Sequence, residues 1–334
     1  MTTLPDFFRS DFDTGFEGSF SADVLWRDRA GDDVLWYMNN DTLRTIETLP
    51  SVTPDWHVKA TADFDQVGGG NADILWQNDN GALALWQMNG TTFGLSAVHA
   101  LPNPGPSWHV AGDNDFNGDR ADDIFFQNDN GALELWTVTS AETGTVSGVF
   151  AGIQNPGPTW HVVGTGDTNG DGVAGILWQN DNDRTVALWE DPIFVLLPSP
   201  LQSSFAFATV AAVAQLDPSW HVKGMADVNG DLRADVVLQN DSGAVAVWEM
   251  GGTDGTTITA VNLVDLNPGP AWHIVGLRSA DGLSHGPDIF FQNDNGAAAV
   301  WEGYHSLNSA SATFDTVLAI TPNPNPNGPV WDLL

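Results

Sequence analysis

The dipeptide Trp-His recurs at nearly constant intervals along this chain of 334 residues. It occurs five times, and a tryptophan near the C-terminus continues the series. The six tryptophans are Trp56, Trp108, Trp160, Trp220, Trp272 and Trp331. Three of the five intervals are identical in length, and those that begin at Trp160 and Trp272 are slightly longer. A regular period of this size, roughly 50 to 60 residues, predicts an array of similar supersecondary units rather than one irregular domain.

Each repeat carries the same elements in the same order. The third repeat has four short segments with strand character, at residues 109–112, 123–127, 132–136 and 146–150. Between the second and third segments lie Asn130 and Gly131, a dipeptide that predicts a type I′ hairpin with positive φ at both residues. After the fourth comes the loop 155–158, Asn-Pro-Gly-Pro, which cannot continue a strand ladder. Four short strands in about 50 residues are typical of one propeller blade.

The repeats fill most of the chain, so we predict one domain, 1–334, with six units. Their approximate bounds are 11–56, 57–108, 109–160, 161–220, 221–272 and 273–331. A sandwich would show cleaner alternation, and a solenoid would need polar capping units. The predicted fold is therefore an all-β, six-bladed β-propeller of four-stranded blades. Its ring is closed by the C-terminal strand near Trp331, although Phe7 and Phe8 are alternative occupants of that place.

The charge balance restricts the partners of this chain. It has 10 Lys and Arg against 43 Asp and Glu, a net charge of −33. Such a surface disfavours nucleic acids and anionic membranes. The chain has no cysteine, which excludes disulfides, and its 15 Trp and 17 Phe indicate a packed scaffold. Neither a secretory leader nor a membrane-spanning run is visible, so an exported protein would need a leaderless route or an already trimmed signal.

Two repeats contain the pattern Asp-x-Asn-Gly-Asp-x-x-x-Asp. The residues are Asp115, Asn117, Asp119 and Asp123 in the third repeat, and Asp227, Asn229, Asp231 and Asp235 in the fifth. Oxygen donors at alternate positions around a glycine, with no nitrogen or sulfur donor, suit Ca²⁺. A strand follows instead of a helix, so we predict a strand–loop–strand site with structural Ca²⁺ as the cofactor. The alternative is an Asx-rich turn with water between the carboxylates.

The other acidic loops are graded by the ligands that they keep. The further candidates are Asp167, Asn169 and Asp171 in the fourth repeat and Asp63, Asp65 and Asp73 in the second. In the fourth repeat Gly175 stands where the closing aspartate is expected, which predicts weaker binding. The first repeat, with Asp11, Asp13 and Asp23, is a doubtful site. The sixth, with Asp281 and Asp288, has lost the pattern, and we expect no ion there.

The segment Trp-His-Val-x-Gly-x-x-Asp-x-Asn-Gly-Asp, followed by Asp-Ile-Leu-Trp-Gln-Asn, resembles bacterial repeats of the FG-GAP/VCBS type. The resemblance covers almost the whole chain. It implies a β-propeller related to that of integrin α subunits, with Ca²⁺ held by the loops at 115–123 and 227–235. The first, fourth and sixth repeats depart from the pattern. The family includes adhesins, lectin-like modules and some lyase or dehydratase enzymes, so the resemblance does not fix an activity.

The opposite rim of the predicted ring offers a second set of candidates. Its ligand-binding candidates are Gln77, Asp79, Gln127, Asp129, Trp108 and His109. Amides and carboxylates beside a tryptophan suit a sugar, because they bind hydroxyls while the ring covers an apolar face. The alternative is structural: Asn-Asp-Asn-Gly is a good hairpin turn, and the tryptophans are core between blades. We expect each Trp-His histidine to bond to a neighbouring blade.

The sequence therefore predicts a calcium-binding propeller that serves as a binding or adhesion module, extracellular or on the cell surface, with lectin-like glycan recognition. Its partner is a glycan or a protein surface, and a monomer is compatible with the pattern. One alternative is a polysaccharide lyase or related enzyme on the same fold. Another is a structural platform for protein interactions. No catalytic residue is predicted, because no nucleophile elbow, His-Glu cluster or phosphate loop occurs; an active site in the central channel stays open.

Overall fold

In the computed structural model, the described residues are 23–28, 30–39, 42–64, 72–89, 94–139, 145–196, 203–278, 287–308, 310–320 and 331–333. Across these ranges all regular secondary structure is β, in 24 strands. The same ranges contain no helix long and apolar enough to span a bilayer. The predicted all-β class is confirmed. Phe7, Phe8, Asp11, Asp13, Asp65 and Asp281 lie outside the described residues.

The strands form antiparallel groups of four that follow one another along the chain. Unit 1 contains β1 (Val24–Asp28), β2 (Asp33–Asn39) and β3 (Thr42–Thr48), together with the C-terminal β24 (Trp331–Leu333). Unit 2 contains β4 (Trp56–Ala62), β5 (Asp73–Asn78), β6 (Leu83–Met88) and β7 (Leu95–Leu101). Unit 3 contains β8 (Trp108–Asn114), β9 (Asp123–Asn128), β10 (Leu133–Thr139) and β11 (Thr145–Gly152).

The second half of the chain repeats this order. Unit 4 contains β12 (Trp160–Gly166), β13 (Gly175–Asn180), β14 (Thr185–Val195) and β15 (Ser204–Gln215). Unit 5 contains β16 (Trp220–Ala226), β17 (Asp235–Asn240), β18 (Val245–Gly251) and β19 (Thr257–Val264). Unit 6 contains β20 (Trp272–Arg278), β21 (Asp288–Asn293), β22 (Ala298–Asn308) and β23 (Ser311–Ala319).

The second strand of a unit is buried on both faces, whereas the fourth strand alternates. All residues of β5 are buried, but in β7 exposed and half-buried residues alternate up to Leu101. A strand that is apolar on both faces needs a covering layer on each side. The outermost strand faces solvent and needs only one.

Six apolar clusters supply these covering layers, and each joins two units. The joining pairs are Leu25 with Trp76, Leu75 with Phe126, Phe125 with Trp178, Leu177 with Val236, Val237 with Ile289, and Phe290 with Trp26. The last pair connects unit 6 to unit 1. The series of interfaces therefore closes into a circle, which is the arrangement of a β-propeller.

The C-terminal strand lies where the sequence predicts it. Strand β24 pairs antiparallel with β1, with Trp26 opposite Leu333 and Asp28 opposite Trp331. It thus occupies the position of the first strand of unit 1, next to the strand that is buried on both faces. The prediction that the chain end completes the first unit is confirmed.

The prediction of six separate four-stranded sheets needs a correction. Units 3 and 4 are joined by a parallel contact of β11 with β15, and units 5 and 6 by one of β19 with β23. The hydrogen-bonded strands therefore form two eight-stranded and two four-stranded sheets. The cause is visible in the sequence, because the two longest repeats, units 4 and 6, contain the long hairpins β14–β15 and β22–β23. Each hairpin reaches the outer strand of the preceding unit and pairs with its end over two residues.

The turn between the second and third strands also differs from the prediction. Gly131 has a φ of 85°, but Asn130 is not among the residues with positive φ. The N–H of Gly131 donates to the carbonyl of Asn128, and the N–H of Asn128 donates to that of Ala132. The type I′ assignment is therefore wrong. The turn is a three-residue loop that ends in a left-handed glycine.

The left-handed glycines of the rim supply a paired test of packing. A Cβ at Gly131 would lie 2.4 Å from the carbonyl carbon of Gly157, whereas a Cβ at Gly157 would meet nothing within 4 Å. Both residues have positive φ. We expect Gly157→Ala to cost about 1 kcal/mol from backbone strain alone. Gly131→Ala should cost at least about 3 kcal/mol because overlap is added. Urea unfolding of both variants measures the difference, and equal losses would contradict the close contact.

Candidate functional site

The acidic loops connect the first and second strands of their units, as predicted. In unit 3 the loop at 115–122 joins β8 to β9, and in unit 5 the loop at 227–234 joins β16 to β17. In both loops the glycine is left-handed, with φ of 78° at Gly118 and 77° at Gly230. The residue after the third ligand is left-handed as well, at Arg120 and Leu232. Two such positions let the backbone wrap around the first aspartate.

The loop of unit 3 satisfies most of its polar groups internally. The Asp115 carboxylate accepts the N–H groups of Gly118 at 2.6 Å and Arg120 at 2.7 Å. The amide nitrogen of Asn117 donates to both oxygens of Asp123, at 3.1 and 3.0 Å. Burial raises the pKa of Asp123 to about 9, and the neighbouring carboxylates Asp119 and Asp115 add to the shift.

The loop of unit 5 leaves one buried oxygen available. Asp227 accepts the N–H groups of Gly230 and Leu232, each at 2.8 Å. Asp235 is fully buried, and its Oδ1 accepts the N–H of Met250 at 2.9 Å. Its Oδ2 has no hydrogen-bond partner in the described part of the chain. Burial, with charge from Asp231 and Asp227, raises the pKa of Asp235 well above its ordinary value. A cation would relieve this electrostatic cost.

The donor set of these loops fits Ca²⁺ in its chemistry. Carboxylate and amide oxygens are the ligands that this ion takes, and the unpartnered Asp235 Oδ2 is an available donor. Over the ranges that the structure describes, no three His, Cys, Asp or Glu side chains form a ready-made metal cluster. Calcium therefore stays a prediction, and its best-fitting loop is that of unit 5.

The closing aspartate has a structural task in every unit where its contacts are described. Its Oδ1 accepts the N–H of the residue two positions after the third-strand tryptophan. The pairs are Asp73 with Met88, Asp123 with Val138, Asp235 with Met250, and Asp288 with Gly303. Recurrence of this aspartate therefore does not by itself indicate a metal, because it also bonds the backbone of the third strand, at a β-bulge in units 2, 3 and 5.

The loop of unit 4 keeps its first three candidates in the same geometry. Asp167 accepts the N–H groups of Gly170 at 2.6 Å and Gly172 at 2.7 Å. Asn169 donates to Asp171 at 3.2 Å. Glu190 of β14, a residue that the sequence analysis did not single out, lies against this loop and accepts the hydroxyl of Thr168. Units 5 and 6 also have a glutamate at this repeat position, Glu249 and Glu302. The only sequence signal for Glu190 is therefore that unit 4 lacks the closing aspartate at position 175.

The second loop is described only in part. Asp63 and Asp73 lie at its two ends, and Asp65 is outside the described residues. The backbone N–H of Asp63 donates to the Asp122 carboxylate at 3.0 Å, which ties this loop to that of unit 3. Burial raises the pKa of Asp122 well above its ordinary value, and the charges of Asp113 and Asp63 contribute.

On the opposite rim, the predicted glutamines connect adjacent units. Gln77 donates from Nε2 to the carbonyl of Trp108 at 2.8 Å and accepts the N–H of Val110 at 3.0 Å. Gln127 donates to the carbonyl of Trp160 at 2.5 Å. Both side chains are buried. Their amides are therefore engaged in joining one unit to the first strand of the next.

The histidines of the Trp-His pairs form exposed hydrogen-bonded pairs with aspartates on the same rim. Each imidazole Nε2 lies 2.7 to 2.8 Å from an aspartate of the turn after the second strand. The pairs are His57–Asp79, His109–Asp129, His161–Asp181, His221–Asp241 and His273–Asp294. The partner belongs to the same unit, so the expectation of a bond to a neighbouring unit is wrong. The reason is register: in unit 3, for example, His109 lies opposite Gln127, two residues before Asp129.

Trp108 and His109 border a crevice between units 2 and 3. Its volume is about 110 Å³. The lining residues are His57, Lys59, Gln77, Asn78, Asp79, Gly81, Pro106, Trp108 and His109. Trp108 is half-buried and packs against the cluster that joins the two units. Trp108 therefore packs between the units, and one part of its surface remains accessible at the crevice.

No protein-family model matches the sequence, and no curated protein matches it. Among solved structures, the Dos1 propeller is similar to this chain, with 13% sequence identity and a TM-score of 0.40. The match covers 84% of this chain and 64% of the Dos1 chain, so this chain spans just under two thirds of that length. A chain of the yeast heterotrimeric Nup82-Nup159-Nup116 nucleoporin complex shows 8% identity and a TM-score of 0.42, with coverages of 84% and 82%. At these scores the similarities assign neither a family nor an activity.

The glutamine bridges lead to a test with an internal control. Gln239 repeats the contacts of Gln77, to the carbonyl of Trp272 and the N–H of Ile274. In unit 4 the Nε2 of Gln179 has no partner in the described residues, because Arg184 donates to the carbonyl of Trp220 instead. We expect Gln239→Ala to lower the free energy of unfolding by about 2 kcal/mol. Gln179→Ala should cost much less, and chemical denaturation of both variants checks this; equal effects would contradict the bridging role.

Proposed function

We propose that the chain is a six-bladed β-propeller that acts as an extracellular or cell-surface binding module. Each unit serves as one blade, and the ligand-binding surface is the rim opposite the acidic loops. The observation that supports this proposal is the crevice between units 2 and 3. There a half-buried tryptophan, a lysine, the His57–Asp79 pair and His109 line about 110 Å³ of open space.

The crevice chemistry favours a glycan with neutral hydroxyl groups. The carboxylate of Asp79 is hydrogen-bonded to His57 on one side and keeps further acceptor capacity for hydroxyls. Trp108 offers an apolar edge beside these groups. The side-chain amides of Gln77 and Gln127 are already hydrogen-bonded to the next unit. The residues that remain to contact a sugar are Asp79, Asp129, Trp108 and His109, fewer than the sequence predicts.

Repetition of the rim supports weak, multivalent binding. The His–Asp pair recurs in units 2 to 6 at one place in the repeat. Linked sites raise the avidity for a repetitive surface such as a polysaccharide far above the affinity of a single site. The net charge of −33 favours neutral over acidic chains.

Calcium is the structural cofactor in this proposal. An ion in the loop of unit 5 would be held by Asp227, Asn229, Asp231 and Asp235, and it would supply positive charge to a buried acidic site. Two of these residues also hold the backbone. Asp227 accepts a loop N–H group, and Asp235 accepts the N–H of Met250 in the third strand.

Calcium dependence has a direct readout in stability. A site saturated at 100 times its Kd stabilises the fold by about 2.7 kcal/mol, so excess chelator should lower the melting temperature measurably. Asp231→Asn should lose part of that stabilisation, because it removes a loop charge without disturbing the bond to Met250. The control is Asp241→Asn on the opposite rim. A melting curve that chelator leaves unchanged would refute the calcium part of the proposal.

Glycan recognition is tested on an array of neutral and acidic polysaccharides in the presence of Ca²⁺. Binding to a neutral glycan is expected, and His109→Gln should weaken it several-fold by releasing Asp129. The matched control is His305→Gln, since His305 and Asp315 form the same 2.8 Å pair between β22 and β23, away from this turn. If no glycan binds, the glycan proposal fails and a platform for protein interactions becomes the favoured function. If a polysaccharide is cleaved, the lyase alternative is favoured.

A further inference from the structure

Unit 4 has lost the closing aspartate, yet an acidic group occupies its place. The position is Gly175, at the start of β13. A Cβ built there would lie 2.2 Å from the carboxyl carbon of Glu190 and 2.2 Å from its Oε2. No side chain other than that of glycine is compatible with Glu190 in this position. The Glu190 carboxyl group can therefore occupy this position only because residue 175 has no side chain.

The glutamate has one oxygen left for a ligand. Glu190 is fully buried. Its Oε1 accepts the hydroxyl of Thr168, inside the acidic loop, and its Oε2 has no hydrogen-bond partner among the described residues. Asp167 and Asp171 lie near enough for their charges to act on it. A buried carboxyl group that contacts an acidic loop and keeps one oxygen without a partner is a position for a cation.

We propose that Glu190 replaces the missing aspartate and completes a Ca²⁺ site with Asp167, Asn169 and Asp171. The inference rests on the proposed role of calcium and extends it to a ligand from the third strand. Asp167 and Asp171, whose carboxylates now accept backbone N–H groups, would hold the ion together with Glu190. Unit 4 is then a full site rather than a weakened one.

The competing explanation is that Glu190 is a neutral acid with a packing role only. Burial raises the pKa of Glu190 to about 9, which favours the neutral form of this side chain. Glutamine has nearly the shape and polarity of a protonated glutamic acid. Glu190→Gln therefore separates the two explanations: a packing role tolerates the change, and a ligand role does not.

Calorimetric titration of the full chain with CaCl₂ gives the number of sites and their affinities. We expect Glu190→Gln to remove one site or weaken it at least tenfold, with an unchanged circular dichroism spectrum. The control is Glu134→Gln, the same substitution in β10 of unit 3, where the glutamate accepts a bond from Trp136. Asp171→Asn should remove the same site, so the double variant should be no worse than either single variant.

A swap variant gives an independent gain of function. Unit 3 has Asp123 at the closing position and Thr137 at the position of Glu190. Gly175→Asp combined with Glu190→Thr copies that arrangement and removes the overlap at 175. The combined variant should recover the calcium site that Glu190→Thr alone loses. This result would also show that a loss in the single variant is not caused by misfolding.

The outcomes distinguish this inference from the proposed function. If Glu190→Gln keeps the wild-type number and affinity of sites while Asp231→Asn loses one, Glu190 is not a ligand and only this inference fails. If the wild-type chain binds no calcium, both fail. Failure of the swap variant to recover a site that Glu190→Thr has lost would also overturn the assignment.

Discussion

The second strand of each unit is buried on both faces, and the rest of the structure depends on this constraint. No unit can cover such a strand alone, because its own third and first strands lie beside it rather than above or below it. The apolar surface has to come from the two neighbouring units, as Leu75 meets Phe126 and Phe125 meets Trp178. An open row would leave one face uncovered at each end. The apolar cluster that contains both Phe290 of unit 6 and Trp26 of unit 1 removes both ends at once.

The same constraint explains the glutamine bridge that units 2 and 5 share. A buried edge needs its backbone groups bonded, and a glutamine at the end of the second strand bonds both a carbonyl and an N–H of the next unit. The rim is then locked by left-handed glycines that touch the following connection, such as Gly131 against Gly157. A ligand on this rim therefore has to be bound by side chains that take no part in joining the units. This is the reason to place recognition on the exposed His–Asp pairs.

The repeat was sufficient to predict the all-β class, the order of strands and the closing role of the chain end, because hydrophobic period and turn residues are local signals. It was insufficient for the turn type, since the dipeptide Asn130-Gly131 fits two kinds of hairpin and only the strand register selects between them. The parallel contacts of β11 with β15 and of β19 with β23 were missed for another reason. The greater length of the fourth and sixth repeats reveals an insertion but not the direction in which a longer hairpin extends.

The candidate sites show the same division between local and non-local information. The acidic loops could be located from spacing, because each lies within one short chain segment. The role of Gln77 could not, since its partners Trp108 and Val110 belong to the following unit. Glu190 is the clearest instance: it lies on the strand that follows the strand of Gly175, and neither residue is unusual by itself. Only when β13 and β14 are paired do a missing side chain and an extra carboxylate share one space. Among sequence repeats, a glycine at a ligand position is therefore better interpreted with its cross-strand neighbour than as a lost ligand.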